Sequence, residues 1–213
     1  KDGTSVIAEF TRMPGNGWKV DLAGEQLNLQ PYIDDTDILL DFPLTVNTQL
    51  RRLRLDGERS LSEVRMSAAF GGKYWDTIEL ESKLDNRSDF NVRYVPAGDQ
   101  RDMLVYASDA GAFLQMVSAS ALARDLRGGE LAIRATREPT LPNTPTEGLI
   151  QMHGFSLRDT PTGDKILASA QGFGPFEVLA SEDLRFSHLE ASFRKVGDRV
   201  ELKNFMALSR GLG

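Results

Sequence analysis

The chain contains no cysteine. That excludes disulfides, thiolate catalysis and cysteine-ligated zinc. It holds two histidines, His153 and His188. Neither a G-x-S-x-G elbow, a G-x-x-x-x-G-K-[ST] loop nor a G-x-G-x-x-G turn occurs, so nucleophile-elbow hydrolysis and the common nucleotide-binding loops have no footing. The glycine-rich stretch Gly172-Phe173-Gly174-Pro175 fits none of these patterns and reads as a bend. Positive charge is also short. The formal net charge is −6, so nothing draws a phosphate backbone, and nucleic acid is not an expected partner. No run nears the roughly 20 apolar residues of a membrane-spanning helix. The most apolar stretch, Ala107 to Ala123, is broken by Ser108, Asp109, Gln115, Ser118 and Ser120.

Converging reactive groups are scarce as well. His153 and His188 lie in separate strand patterns, without H-x-x-x-H or carboxylate spacing, and read as structural or surface residues rather than metal ligands. Asp34-Asp35-Thr36-Asp37 offers clustered carboxylates. It is open to two readings, a D-x-D divalent-metal site or a solvated acidic loop. No nucleotide-binding βαβ pattern accompanies it, which favours the loop. The expectation is a protein without catalytic, metal or cofactor residues.

What is present is alternation. Period two, the mark of half-buried strands, runs through Val6-Ala8-Phe10, Trp18-Val20-Leu22 and Leu27-Leu29. Ile38–Phe42 and Leu50–Leu55 read as strands flanking a loop, and Gly24 as a strand end. Val64, Met66, Ala68 and Phe70 share one face; across Gly71-Gly72, Ile78 and Leu80 share another, with Trp75 on the side opposite to them. Phe90-Val92-Tyr94, Met103–Ala107, Glu130–Thr136 and Gly148–Arg158 continue the series. Met13 to Gly17 is a Pro-Gly-Asn-Gly turn. Near the end, Leu189, Ala191 and Phe193 face a return strand carrying Val200, Leu202 and Asn204, with Phe205 on the other side.

One helix is expected at about 109–125. Ser108 or Asp109 can cap it, and Ala112, Phe113, Met116 and Val117 recur at helical spacing. Arg124 and Arg127 suit its C-terminal end, and Gly128-Gly129 would stop it. Ile166–Ala170 could begin a second, short helix. Met66–Phe70 before Gly71-Gly72 echoes Leu189–Phe193 before Gly197, as stacked similar hairpins would.

Four segments in order, "ASDAGAFLQMV", "LRGGELAI", "EGLIQMHGFSLRDTP" and "LRFSHLEASFRKVGDRVELKNFMALSRGLG", resemble the C-terminal region of AsmA-like bacterial envelope proteins, the group that includes TamB and YhdP. The resemblance covers residues 106–213. Residues 1–105 then read as the strand-rich section that precedes this region, the two forming one continuous β unit. The chain opens on Lys1 and reads as a piece of something longer. Where the family carries an Ala/Leu-rich helix, this chain has "ILASAQGFGPFEVLAS", interrupted by glycine and proline.

The resemblance implies a mainly β fold with one or two helices, antiparallel and open as a groove (a β-taco). It implies a periplasmic position in a protein anchored in the inner membrane outside this stretch. It implies phospholipid as the partner, conducted toward the outer membrane in a non-enzymatic role. A strand of 8 or 9 residues spans roughly 27–30 Å, and each buried methylene contributes about 0.8 kcal/mol. A groove for acyl chains therefore needs only apolar side chains. The candidate groove residues are Val64, Met66, Ala68, Phe70, Ile78, Leu80, Leu189, Ala191, Phe193, Val200 and Leu202. The same residues could instead form an ordinary sheet core. An alternative role is an assembly module that binds another envelope protein by strand addition at an open edge.

Overall fold

The structure is a computed structural model. It describes residues 3–30, 41–56, 59–118, 121–137, 144–158, 184–197 and 199–209. The acidic stretch 34–37, the possible helix at 166–170 and the bend at 172–175 lie outside them. The described part is mainly β, mostly antiparallel, with two short helices. It divides into two compact units, the first ending at Leu104 and the second beginning at Val105.

The first unit holds β1 (Ser5–Arg12), β2 (Trp18–Asn28), β3 (Pro43–Arg54), β4 (Ser60–Gly71), β5 (Trp75–Leu84) and β6 (Ser88–Ala97). Strands adjacent in sequence are adjacent in the sheet. Met13–Gly17 closes the first hairpin through a single 3₁₀ turn, Pro14–Asn16, in which Gly15 and Asn16 have positive φ. That turn chemistry matches its sequence. Gly24 does not end β2. The strand runs through it to Asn28, and the glycine instead makes room for β1, since a Cβ there would clash with the Ser5 carbonyl oxygen. The loop expected between Phe42 and Leu50 is strand. Pro43 takes the first position of β3, where its missing N–H breaks no ladder.

Among the described pairings from β1 to β6, one departs from the antiparallel expectation. β2 and β3 run parallel, from Trp18 beside Leu44 to Asn28 beside Arg54. Residues 29–42 separate them, a connection of the length a parallel pair requires. Alternation alone does not distinguish parallel from antiparallel neighbours, so this pair carried no sequence signal. The remaining pairings from β3 to β6 are antiparallel.

β7 (Gln100–Ala107) carries the chain into the second unit, where α1 (Ala110–Val117) and α2 (Ala121–Asp125) precede β8 (Leu126–Arg137), β9 (Thr146–Leu157), β10 (Leu184–Val196) and β11 (Arg199–Ser209). The strands β8 to β11 form an antiparallel meander. The single helix expected at 109–125 is two helices. Asp109 caps the first, its carboxylate accepting from the Ala112 N–H at 2.9 Å. Gly128-Gly129 does not stop a helix. Both residues lie inside β8 with positive φ, and a Cβ on Gly129 would meet Phe155 Cβ at 2.6 Å. Gly129 lets β8 approach β9 closely, while Gly128 has open space beside it. α1 packs on β8, and Ala107, Ala110, Ala123, Leu126, Leu157, Phe155 and Phe186 are buried in this unit. The last two rings stack at 5.0 Å.

Candidate functional site

In the first unit the register sorts side chains into rows that cross the strands. Phe10, Val20, Val46, Ala68, Ile78 and Tyr94 make one row from β1 to β6. Ala8, Leu22, Thr48, Met66, Leu80 and Val92 make the next on the same face. Six strands at about 4.8 Å spacing give each row a span of roughly 24 Å. Most members are half-buried; Ala68 and Thr48 are buried, and Ala8 and Phe10 on the edge strand are exposed.

The opposite face is polar. Its central row is Glu9, Asp21, Asn47, Ser67, Glu79 and Arg93. Asn47 donates to Asp21 at 2.8 Å, and Ser67 donates to Asn47 at 3.1 Å. Lys19 lies 2.8 Å from the other Asp21 oxygen. These bonds hold the Asp21 carboxyl below the usual carboxylate range, the Lys19 bond first and the Asn47 bond second. Two adjoining shallow depressions, of about 690 and 810 Å³, open over this polar face, bordered by Asp21, Asn47, Arg65, Glu79 and Glu81 among others.

The candidate groove residues fall in both units and fare differently. In the first, Met66 stands beside Leu80 and Ala68 beside Ile78, all on the apolar face. Val64 is 1% exposed and is interior packing. Phe70 lies at the end of this face, its ring edge-on to Trp75 at 5.4 Å. Strict alternation puts Trp75 on the other side of β5. A register shift between Ala69 and Phe70 skips Asp76 and brings Trp75 beside Phe70 instead. In the second unit, Leu189 stands between Met152 and Ala207, Ala191 beside Ile150, and Phe193 between Gly148 and Leu202. Ala191 is buried, whereas Val200 and Leu202 on the outer strand are 55% and 59% exposed.

β11 also breaks alternation. Asn204 has φ of 50°, and the register shifts by one residue between Glu190 and Ser192. Beyond this bulge, Ala207 rather than Met206 joins the face of Leu189. Ala207 is buried, and Met206 points with Glu190. An asparagine within a strand, able to take positive φ, was the available sign.

The histidines are not isolated. β9 and β10 place His153 directly opposite His188, their Nδ1 atoms 3.2 Å apart and ring centroids 4.6 Å apart. His188 Nε2 lies 3.8 Å from Glu190 Oε2. Gln151 donates to that same carboxylate oxygen at 2.9 Å, and Arg134 donates to Gln151 at 3.2 Å. Sequence spacing could not reveal this, since 35 residues separate the pair.

Among the described residues, no helix is long and apolar enough to cross a membrane. Compared with known proteins, the chain matches no family model, no curated protein and no solved structure. What the fold defines is a class: a mainly β, mostly antiparallel sheet protein not closed into a barrel, with one two-faced sheet unit and one helix-backed unit.

Proposed function

We propose that this chain is a non-enzymatic segment of an AsmA-like protein of the bacterial envelope. It lies in the periplasm, tethered to the inner membrane by a part of the protein outside this stretch. Its apolar sheet face accepts phospholipid acyl chains and passes them between the two membranes. The observation that carries the reading is the pair of apolar rows crossing β1 to β6 without a charged side chain. The rows run roughly 24 Å, longer than one leaflet's share of a hydrocarbon core about 30 Å thick. Most of their side chains stay partly accessible, and each methylene laid on them is favoured by about 0.8 kcal/mol. The polar face, with its hydrogen-bonded Asp21–Asn47–Ser67 row, offers a tail nothing comparable.

The test is face-specific crosslinking in cells. A photo-crosslinking residue placed at Met66, Ile78 or Leu80 should capture phospholipid, identified by mass spectrometry after extraction. The same residue at Ser67 or Glu79, on the same strands but the polar face, should not. Equal capture from both faces, or none from either, ends the lipid reading.

A specific observation favours a second reading, strand addition. Ile7 and Phe10 of β1 are 71% and 66% exposed. They sit on an eight-residue strand without proline, a ready template for another extended segment. Crosslinks from Ile7 to a polypeptide, with none to lipid from the apolar rows, would support that role instead.

A further inference from the structure

We propose that His153 and His188 form a bidentate site for a divalent transition-metal ion, one that an imidazole pair prefers, such as Cu²⁺ or Zn²⁺. The proposal is independent of the lipid reading. It rests on where the β9–β10 register puts two ring nitrogens. Their Nδ1 atoms are 3.2 Å apart. Two nitrogens held roughly 2.0–2.1 Å from one tetrahedral ion lie about 3.3 Å apart. The rings therefore stand at chelating separation without moving either strand.

The surroundings are those of a ligand histidine. A metal-binding imidazole characteristically directs its second nitrogen at a carboxylate, which fixes its tautomer and orientation. His188 Nε2 faces Glu190 Oε2 at 3.8 Å. Glu190 is itself held by Gln151, and Gln151 by Arg134. In the tautomer with its proton on Nε2, on the Glu190 side though beyond hydrogen-bond reach, His188 Nδ1 is the acceptor, and the Nδ1–Nδ1 contact is then a donation from His153. When an ion enters, His153 carries its proton on Nε2 instead, so both Nδ1 lone pairs reach the metal and no net proton is lost.

Glu130 stands opposite His153 on β8 and Leu208 opposite His188 on β11, so the row is Glu130, His153, His188, Leu208. Among the described residues, no three His, Cys, Asp or Glu side chains converge to hold a metal. The ion is thus held by two nitrogens and completed by water, since His153 is exposed. Such a site is open and exchangeable, unlike a closed structural one.

The experiment titrates the untagged chain with CuCl₂ and with ZnCl₂ by calorimetry. Saturable one-to-one binding is expected, tighter for Cu²⁺. It should vanish in His153→Ala and in His188→Ala, and weaken about tenfold in Glu190→Gln. Each variant is first matched to the parent by circular dichroism. A second measurement needs no variant. The chain has only these two histidines, so the imidazole ¹⁵N spectrum reports them without ambiguity. Zn²⁺ should shift the Nδ1 resonances of both together. No saturable binding, binding that survives loss of either histidine, or a shift of one ring alone would overturn the site.

Discussion

The ring of Phe193 lies across Gly148, its partner in the β9–β10 register. A Cβ added to Gly148 would come within 2.6 Å of that ring and 2.3 Å of the Arg134 carbonyl oxygen on the other side. The glycine is therefore the floor on which Phe193 rests, and the neighbouring strand β8 crowds it from the side. Gly148→Ala should destabilise the second unit by about 1–3 kcal/mol, the usual range for forcing a methyl into a filled site. The Arg134 carbonyl is backbone, so turning the Phe193 ring alone does not relieve the clash. Urea denaturation compared with the parent chain measures it, and unchanged stability would mean that Gly148 is not packed between Phe193 and the Arg134 carbonyl.

Val64 and Leu202 were both expected on an apolar face, yet they stand at opposite extremes of exposure, 1% against 59%. Val64→Ala removes two methylene equivalents from a sealed position and should cost roughly 2 kcal/mol, including the small cavity left. Leu202→Ala should change stability by less than about 0.5 kcal/mol, as exposed substitutions do. Equal destabilisation by the two variants would show that Leu202 is packed rather than open.

The strands were legible because one face of each is apolar and the other polar, and the period of two follows directly. A cap at Ser108 or Asp109 was legible just ahead of an Ala-Gly-Ala-Phe helix start, and Asp109 is the one that supplies it. What could not be read was whatever changes the count without changing composition. The extra residues at Asp76 and Asn204 exchange Trp75 and Met206 between faces, yet a bulge leaves hydrophobicity unaltered. The parallel pairing of β2 with β3 is silent for the same reason. Gly128-Gly129 misled because glycines that end helices and glycines that admit a neighbouring strand are the same residues in sequence. The histidine pair depends on a register between strands far apart in the chain, which no local spacing encodes.

Asp21 links charge to the polar face. Lys19 and Asn47 both stabilise its ionised form, so its folded pKa lies below the ordinary carboxylate value. The sign follows: this contribution is present above the unfolded pKa and is lost as pH falls through the lower, folded one. Asn47→Ala removes one of the two bonds and should raise the Asp21 midpoint toward the usual range, as read by carboxyl ¹³C NMR during an acid titration. The Lys19 contact, the larger cause, should keep part of the depression. A midpoint unmoved by the substitution would mean that the Asn47 bond at 2.8 Å contributes nothing in solution.

Asn204 tests whether the β11 bulge is built in or incidental. Its φ of 50° is a left-handed conformation that asparagine tolerates and β-branched residues do not. Its side-chain amide also donates to Ser192 Oγ at 3.2 Å, while that hydroxyl donates to the Lys203 carbonyl oxygen at 3.0 Å. Asn204→Val should cost about 1–2 kcal/mol from the backbone alone, in addition to the lost hydrogen bond. Asn204→Gly loses that bond but not the backbone fit, so its effect should be clearly smaller. The two variants also make opposite structural demands. Valine should favour regular pairing, which would turn Met206 toward Leu189 and expose Ala207. Amide hydrogen exchange along β11 detects that slip, since protection would move by one residue beyond position 204. Valine and glycine variants of equal stability, with identical exchange patterns, would show that the bulge does not set the register of this strand.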